Sequence, residues 1–395
     1  MTTRPGKRDE QTLFTAAPLP VATLDDTERL ACLRLIRSQN VGPVTFRELI
    51  NHFGGAARAL DALPELAARG GNKRPIRITT KAQAERELER AAKAGAKPVF
   101  TIEPGYPPAL AAIEAPPPML YVRGDAGLLT RPAVAIVGSR QASAAGHKLT
   151  RVFATGLGHA GYVVVSGLAR GIDGVAHEAT LETGTVAVVA GGVDIVYPPD
   201  NAALTQAIAD RGAIVSDMPP GFPPRANDFP RRNRIISGIS LGVVVVEAAK
   251  RSGTLVTARL AGEQGREVFA VPGHPLDPRA EGTNALLKRG ATLVTEPADI
   301  IEALAPLSGL SPDAAFAEQH PAQDWRVPPP APPPLVQDQD RTLVLEALGP
   351  APVDIDALMR ATGLDTRALN VVLMELDLAG CIVRHGAGLV SRSQD

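Results

Sequence analysis

The sequence predicts an α/β protein with a doubly wound sheet at its centre, a small all-α domain in front and a winged-helix domain behind. Three observations support this: short β-branched runs alternate with helical stretches from residue 133 onward, these runs are apolar throughout, and helical patterns fill both ends. Strands without polar alternation are typical of a parallel sheet covered by helices on both faces. We therefore expect a parallel sheet between two helical layers.

Seven runs are predicted to be strands of a core that extends from residue 100 to 305. They are 134–137, 162–165, 186–189, 213–215, 243–246, 268–271 and 292–294. Ligands of doubly wound sheets bind outside the carboxyl ends of the strands. The turns that follow these runs are therefore where we expect the functional site.

The region in front of the core, residues 25–95, is predicted to be all helical and to follow a flexible lead-in at 1–24. Asp26 or Thr27 is expected to cap the first helix, and a second helix is expected over 45–53. The turn between them, Asn40-Val41-Gly42-Pro43, makes the pair similar to half of a helix-hairpin-helix unit. Two more helices are expected over 56–68 and 80–94, which completes a SAM-like or helix-hairpin-helix-like domain.

Behind the core, residues 306–335 are predicted to be a linker, because 321–334 contains seven prolines in 14 residues. Residues 336–392 read as helices at 340–348, 354–361 and 366–379, then a hairpin around residues 385–388, which is a winged helix. The last helix carries Arg367 against Glu375 and Asp377. An acidic recognition helix repels phosphate, so this module is expected to contact protein or the core domain rather than DNA.

Composition limits the function only weakly. The 395 residues carry 41 Lys and Arg against 42 Asp and Glu, a net charge of -1, which gives no sign of a nucleic-acid partner. Cys32 and Cys381 are far apart, so neither a disulfide framework nor a zinc site is indicated, and a reducing, cytoplasmic location is expected. Neither a signal-peptide pattern nor an apolar stretch of membrane-spanning length is evident.

Two turns after the first strands carry residues suited to phosphate. Gly138-Ser139-Arg140 offers backbone N–H groups, a hydroxyl and a guanidinium at the start of a helix. Ser166-Gly167-Leu168-Ala169-Arg170-Gly171-Ile172-Asp173 offers two glycines and Arg170. Asp173 suits either acid–base chemistry or the N-cap of a helix over 174–183, and we favour the cap.

Two later turns add a basic stretch. Arg231, Arg232, Asn233 and Arg234 are expected in the exposed first turn of a helix whose Ile235, Ile236 and Ile239 pack inward. Lys250, Ser252, Gly253 and Thr254 follow the strand that ends near residue 246. Residues 225–259 contain seven basic and two acidic side chains, a net of +5, which suits a polyanion crossing several turns. A tight turn, a solvated basic face or helix capping are the alternative interpretations.

The ordered set of motifs resembles the bacterial DNA-processing protein A family, called DprA or Smf. The motifs are Ala135-Ile136-Val137-Gly138-Ser139-Arg140, the run from Ser166 to Asp173 with Ala176-His177, Tyr197-Pro198, Phe229-Pro230 with Arg232 to Ile236, Val246-Glu247 with Ser252-Gly253-Thr254, and Val271-Pro272-Gly273. The resemblance implies an extended Rossmann-like core. It also implies a non-enzymatic protein that holds and protects incoming single-stranded DNA during natural transformation and loads the recombinase RecA.

The same resemblance implies dimers formed through the core, RecA and single-strand-binding protein as protein partners, and no cofactor, metal or catalytic residue. The DNA contacts that it implies are Gly138, Ser139, Arg140, Ser166, Gly167, Arg170, Gly171, Arg231, Arg232, Asn233, Arg234, Lys250, Ser252, Gly253 and Thr254. These are the four turns already indicated by the residues themselves.

Two other functions stay open. Nucleotide phosphoribohydrolases have a similar core with G-G-x-G-T-x-x-E, but Thr257 stands here at the position of the glutamate that would stabilise an oxocarbenium-like transition state. The other is an interaction scaffold built from the two end domains and the linker, in which the Asn40–Pro43 turn docks protein rather than a DNA phosphate. No P-loop and no His/Cys metal cluster is evident in the sequence.

Overall fold

The computed structural model describes residues 23–71, 74–309, 336–386 and 388–394. Most of the predicted lead-in at 1–24 and residues 310–335 of the predicted linker lie outside the described residues. Within the described ranges, no helix is long and apolar enough to cross a membrane.

Four helices form the first region, as predicted. They are α1 (Asp26–Ile36), α2 (Pro43–Phe53), α3 (Ala56–Arg69) and α4 (Lys81–Lys93). The predicted cap at Asp26 or Thr27 is wrong by one residue or two, because the Asp25 carboxylate accepts the Glu28 backbone N–H at 2.8 Å. Helix α2 begins at Pro43, earlier than predicted, because proline suits the first helical turn.

The core sheet has nine strands. They are β1 (Ala96–Phe100), β2 (Met119–Gly124), β3 (Ala133–Val137), β4 (Val163–Ser166), β5 (Thr185–Val188), β6 (Ala213–Ser216), β7 (Gly242–Val245), β8 (Glu267–Ala270) and β9 (Thr292–Leu293). Their spatial order is β1-β2-β6-β5-β4-β3-β7-β8-β9, and β3 to β9 pair in parallel.

The expectation of a wholly parallel sheet is wrong at one edge. Strands β1 and β2 pair with each other antiparallel, and β2 pairs antiparallel with β6. An antiparallel edge pair needs no crossover helix, so the strand–helix alternation that predicted the other strands does not reveal it. Strand β1 also begins at Ala96, before the predicted core start at residue 100.

Helices cover both faces of the sheet. They are α5 (Pro108–Ala111), α6 (Ala144–His159), α7 (Ile172–Ala179), α8 (Ala202–Arg211), α9 (Asp228–Ile239), α10 (Thr254–Glu263), α11 (Glu281–Lys288) and α12 (Pro297–Ser308). One face packs against α9 and α10, the other against α6, α7 and α12. The doubly wound architecture is therefore confirmed. Because α12 continues to Ser308, the predicted linker start at residue 306 lies inside a helix.

The last region is a winged helix, as predicted. It contains α13 (Asp338–Ala347), α14 (Ile355–Thr362), α15 (Thr366–Leu378), β10 (Val353–Asp354), β11 (Ile382–Arg384) and β12 (Leu389–Arg392). The strands form a sheet in the order β10-β12-β11. Strand β10 is not predicted from the sequence because two residues carry no alternation.

Helix α15, which holds the position of the recognition helix in a winged helix, packs on the first helical region instead of facing solvent. Met374 and Leu378 belong to the same apolar cluster as Phe46, Leu49 and Leu63 of α2 and α3. In addition, the Gly388 backbone N–H donates to Glu114 Oε1 of the core at 2.7 Å. The sequence predicts contact with protein or the core domain. The structure shows a contact with the core at Gly388 and a more extensive one with the helical region of the same chain, which the sequence does not predict.

Candidate nucleic-acid interface

The loops that follow β3, β4 and β5 meet in a cleft at the carboxyl edge of the sheet. Between β3 and β7 the order of the strands along the chain reverses. Ligands of doubly wound sheets bind beside such a reversal. The cleft is lined by Arg140, Gly167, Leu168, Ala169, Arg170, Val189, Ala190, Gly191, Ile195, Tyr197, Pro198, Pro224, Phe229 and Arg232. Four predicted site residues therefore meet here: Arg140, Gly167, Arg170 and Arg232.

The loop after β3 places one free cation at the cleft. A Cβ on Gly138 would lie 2.6 Å from the Ile172 side chain, so only glycine lets the loop pass this close to α7. The Ser139 hydroxyl accepts the Gln141 backbone N–H at 3.1 Å. Arg140 is exposed, and its guanidinium carbon lies 5.8 Å from the centre of the Phe229 ring. Within the described ranges, Arg140 makes no hydrogen bond or ion pair with the protein.

The loop after β4 divides its predicted contacts between the cleft and the interior. Ser166 is fully buried and donates its hydroxyl to the Ile136 carbonyl at 2.6 Å, so it supports the loop from below. Gly171 has φ +75°, and a Cβ there would lie 2.3 Å from the Ser139 carbonyl. The exposed Arg170 lies 3.7 Å from Asp200, an ion pair that solvent weakens.

The predicted N-cap role of Asp173 is wrong. Helix α7 begins at Ile172 with Gly171 as its cap, and the Asp173 carboxylate reaches back to accept the N–H groups of Gly167 at 3.1 Å and Ala169 at 3.3 Å. Burial raises the pKa of Asp173, while the nearby Arg232 charge and these two amides oppose the rise. The carboxylate therefore fixes the loop after β4.

The prediction that Arg232 is exposed is also wrong, since it is 5% exposed. Its Nη1 donates to the Gly167 carbonyl at 2.6 Å and to the Val188 carbonyl at 2.8 Å, at the ends of β4 and β5. Burial lowers the pKa of Arg232 to about 10, so the guanidinium keeps its charge at neutral pH. Arg232 and Asp173 together hold Gly167 from both sides.

The other polar residues of α9 face different surroundings. Arg231 has an exposed side chain that pairs with the buried Asp217 at 2.7 Å. The half-buried Arg234 donates to the Ala115 carbonyl, and Asn233 is half-buried. Ile235, Ile236 and Ile239 are buried, as predicted. Arg231, Asn233 and Arg234 do not line the cleft.

The loop after β7 adjoins the cleft without lining it. Gly253 caps α10, and Ser252 Oγ accepts the Thr254 backbone N–H at 3.2 Å. Thr254 Oγ1 donates to the Gly138 carbonyl at 3.1 Å, which ties this loop to the loop after β3. Lys250 is exposed next to this junction.

Sequence reasoning missed Tyr197 as a site residue. The Tyr197 ring is half exposed at 49% and lies 5.7 Å from the Phe229 ring at the cleft. Phe229 also lies 5.8 Å from the Arg232 guanidinium carbon, so it stands between two cations. An aromatic residue beside Pro198, shortly after the Gly191-Gly192 pair that follows a strand, is the signal that could have identified it.

The part of the chain that the structure describes contains no cluster of His, Cys, Asp and Glu that could hold a metal ion. His177 is fully buried, with Nδ1 2.7 Å from Thr185 Oγ1, and burial lowers its pKa to about 3. Thr257 is buried inside α10 at 2% exposure.

Comparison with known proteins agrees with the fold. A family model described as DNA recombination-mediator protein A matches residues 97–305, a DprA-like N-terminal HHH domain matches 26–90, and a DprA winged helix domain matches 328–388. Protein Smf of Escherichia coli is 42% identical over 288 residues, which is 72% of this chain and 74% of that protein. DNA processing protein DprA of Bacillus subtilis is 43% identical over 202 residues, 50% of this chain and 68% of that protein.

Among solved structures, DNA processing protein A from Streptococcus pneumoniae is similar with a TM-score of 0.61 and 32% identity. The match covers 71% of this chain and 98% of that chain. Because one family model spans more than half of the sequence and its two companions match the flanking regions, the assignment does not depend on any single motif. The chain belongs to the DNA-processing protein A (DprA/Smf) family.

Proposed function

We propose that this protein binds single-stranded DNA in the cleft, without catalysis, and acts as a recombination mediator in the cytoplasm. In this role it protects incoming single strands during natural transformation and loads RecA onto them. The observation that carries the proposal is the exposed Arg140 guanidinium beside the Tyr197–Phe229 pair. Proteins hold single strands with cations that bind the phosphates and aromatic rings that stack on the bases. Arg140 and the Tyr197–Phe229 pair supply both kinds of group.

The backbone around Arg140 supports contact with phosphate. Gly138, Gly167 and Gly171 each lie where a Cβ would collide, with the Ile172 side chain, the Arg232 side chain and the Ser139 carbonyl respectively. The loops after β3 and β4 are therefore packed closely against each other and against α7 and α9. Lys250 extends positive charge along the same edge. A row of cations that crosses several loops fits a chain of phosphates better than one mononucleotide.

The residues do not favour an enzyme that releases bases from nucleotides. Such a reaction needs a carboxylate near the sugar, but Thr257 occupies the corresponding position and is buried in α10. Asp173, at the cleft floor, is engaged with two backbone amides and the Arg232 charge. We expect no free base after incubation with nucleoside monophosphates, and release of base would contradict the proposal.

Arg140→Ala tests the cleft. We expect it to weaken binding of fluorescent oligo-dT about tenfold or more, because it removes a charge that no carboxylate among the described residues neutralises. The slope of log affinity against log salt should also fall by about 0.7 for each phosphate that the variant no longer neutralises. The readout is fluorescence anisotropy at several salt concentrations.

Arg211→Ala is the matched control. Arg211 is also exposed, but it lies on α8 and is paired with Glu182. We expect its removal to leave both the affinity and the salt slope unchanged. Equal weakening in the two variants, or binding of oligo-dT that is independent of salt, would show that the cleft is not the binding site.

Self-association through the core and partnership with RecA and single-strand-binding protein belong to the same proposal. Exposed leucines after β8, in β9 and in α12 support a core dimer: Leu276 at 85%, Leu293 at 53% and Leu307 at 58%. An open edge strand and apolar side chains beside it are features that a partner subunit covers. Sedimentation of the full chain tests the dimer, and pull-down with RecA, with and without DNA, tests the partner.

A further inference from the structure

Helix α15 carries two apolar faces, and only one belongs to the winged helix itself. Leu369, Val372, Leu373 and Leu376 pack into the core of that region. Met374, at 2% exposure, and the fully buried Leu378 instead join the apolar cluster of α2 and α3. A recognition helix that reads DNA keeps its second face open and polar. Here that face is apolar and covered.

Polar contacts surround this second face. Arg384 donates to Glu48 Oε2 at 2.8 Å and to Asp377 Oδ2 at 3.1 Å, so one guanidinium joins two carboxylates across the contact. The Thr45 hydroxyl donates to the same Asp377 oxygen. Asn40 Nδ2 donates to the Leu378 carbonyl at 2.9 Å. The hairpin turn Asn40–Pro43 is therefore capped by the carboxyl end of α15.

The two backbones also approach closely at one glycine. A Cβ on Gly70, at the end of α3, would lie 2.0 Å from the Glu375 carbonyl oxygen and 2.9 Å from Ala379 Cβ. Gly70 has φ -69°, a conformation that alanine adopts without strain. The glycine is thus required by the approach of α15 and not by the local backbone.

We propose that α15 is a docking helix whose partner is the α2–α3 face of the same chain. In this closed arrangement, the two elements that resemble duplex-binding motifs, the recognition helix and the hairpin turn Asn40–Pro43, cover each other. The acidic residues of α15 meet cations at this contact: Asp377 is bound to Arg384, and Glu375, which pairs with Arg341 inside the winged helix, also lies 3.9 Å from Arg69 of α3. The winged helix therefore holds the helical region and does not read duplex DNA.

A thiol placed in the contact measures docking. The chain has two cysteines, and Cys32 is fully buried in the helical region. In a Met374→Cys, Cys381→Ser chain, the introduced thiol reacts with a thiol reagent only when α15 leaves the α2–α3 face. Adding Gly70→Ala should raise this rate about tenfold, because the new methyl group meets backbone. Cys32 should stay unreactive, which shows that the helical region remains folded.

Gly349→Ala is the matched control, since a Cβ there meets nothing within 4 Å. We expect it to leave the thiol rate unchanged. An unchanged rate with Gly70→Ala, or hydrogen-exchange protection of α15 by a mixed-sequence duplex in the unmodified chain, would overturn the proposal. Affinity for oligo-dT should stay within about twofold of the parent chain. Failure of the parent chain itself to bind oligo-dT would defeat the cleft proposal alone, because the docking rates do not depend on it.

Discussion

The cleft at the carboxyl edge of the sheet and the contact of α15 with the helical region both gather arginines, but they neutralise them differently. In the contact, Arg384 lies between Glu48 and Asp377, and Arg69 of α3 lies 3.9 Å from Glu375. In the cleft, Arg140 has no such partner within the described ranges, and its guanidinium lies 5.8 Å from the Phe229 ring.

This difference separates two uses of positive charge. A cation matched by carboxylates of the same chain holds protein to protein, and a cation left unmatched next to exposed rings attracts an anion from outside. Arg232 belongs to neither group, because its guanidinium donates hydrogen bonds to backbone carbonyls beneath the cleft. The comparison therefore predicts three kinds of response to the removal of an arginine.

The largest effect is expected for Arg232→Met. Removal of this guanidinium leaves the Asp173 carboxylate buried without its countercharge and two carbonyls without a donor. We expect the free energy of unfolding to fall by about 3 to 5 kcal/mol. Chemical denaturation followed by far-UV circular dichroism measures it.

An exposed arginine of α10 supplies the control. Arg259 has a 64% exposed side chain and pairs with Glu263, whose side chain is 53% exposed, so Arg259→Met should cost less than about 1 kcal/mol. Equal and small decreases in stability would mean that the Arg232 charge is not structural and would return it to the group of DNA contacts. Asp173→Asn in the Arg232→Met chain should recover part of the stability, because the uncompensated charge is gone.

Arg384→Ala tests whether an arginine that is paired with carboxylates holds α15 on the helical region. The substitution leaves Glu48 and Asp377 facing each other, with side chains only 21% and 18% exposed. We expect docking of α15 to weaken by about 2 kcal/mol, which corresponds to a roughly 30-fold faster reaction of the thiol introduced by Met374→Cys. Arg360→Ala, an exposed arginine of α14, should not change the rate. A change in oligo-dT affinity instead of thiol reactivity would break the distinction between the two regions.

The fold follows from the sequence wherever burial is two-sided. Runs such as 134–137 and 243–246 are apolar throughout because helices cover both faces, and that makes them readable as parallel strands. Strand β1 contains Lys97 and Pro98 and pairs at an edge, so its pattern resembles a loop. Most helix bounds differ from prediction by a residue or two, because caps such as Asp25 depend on backbone geometry that residue type does not determine. The helix predicted over 174–183 is wrong by more, since α7 ends at Ala179.

The loops of the site are predictable from the sequence, and its side-chain directions are predictable only where a helix gives a periodic pattern. Gly138 and Arg140 directly follow a strand, so the position of that strand determines the positions of these two residues. The burial of Arg232 is implied by spacing, because it precedes Ile235 by three, Ile236 by four and Ile239 by seven positions on one helix face. Tyr197 could not be placed this way, because the loop that carries it has no periodicity and only the folded chain brings it to Phe229.

The smallest effect is expected when the pH is lowered, which reduces the free energy of unfolding through the buried His177. Burial, with the Arg232 charge, lowers the pKa of His177 from 6.5 to about 3. Between these two pH values His177 stays neutral in the folded chain but takes up a proton in the unfolded chain. Stability is therefore lost as the pH falls through 6.5, by about 1 kcal/mol between about pH 7 and 5.5. His177→Gln cannot take up this proton, so its free energy of unfolding should fall less over the same interval. Equal pH dependence of the two chains in urea denaturation would show that His177 is already protonated in the folded core.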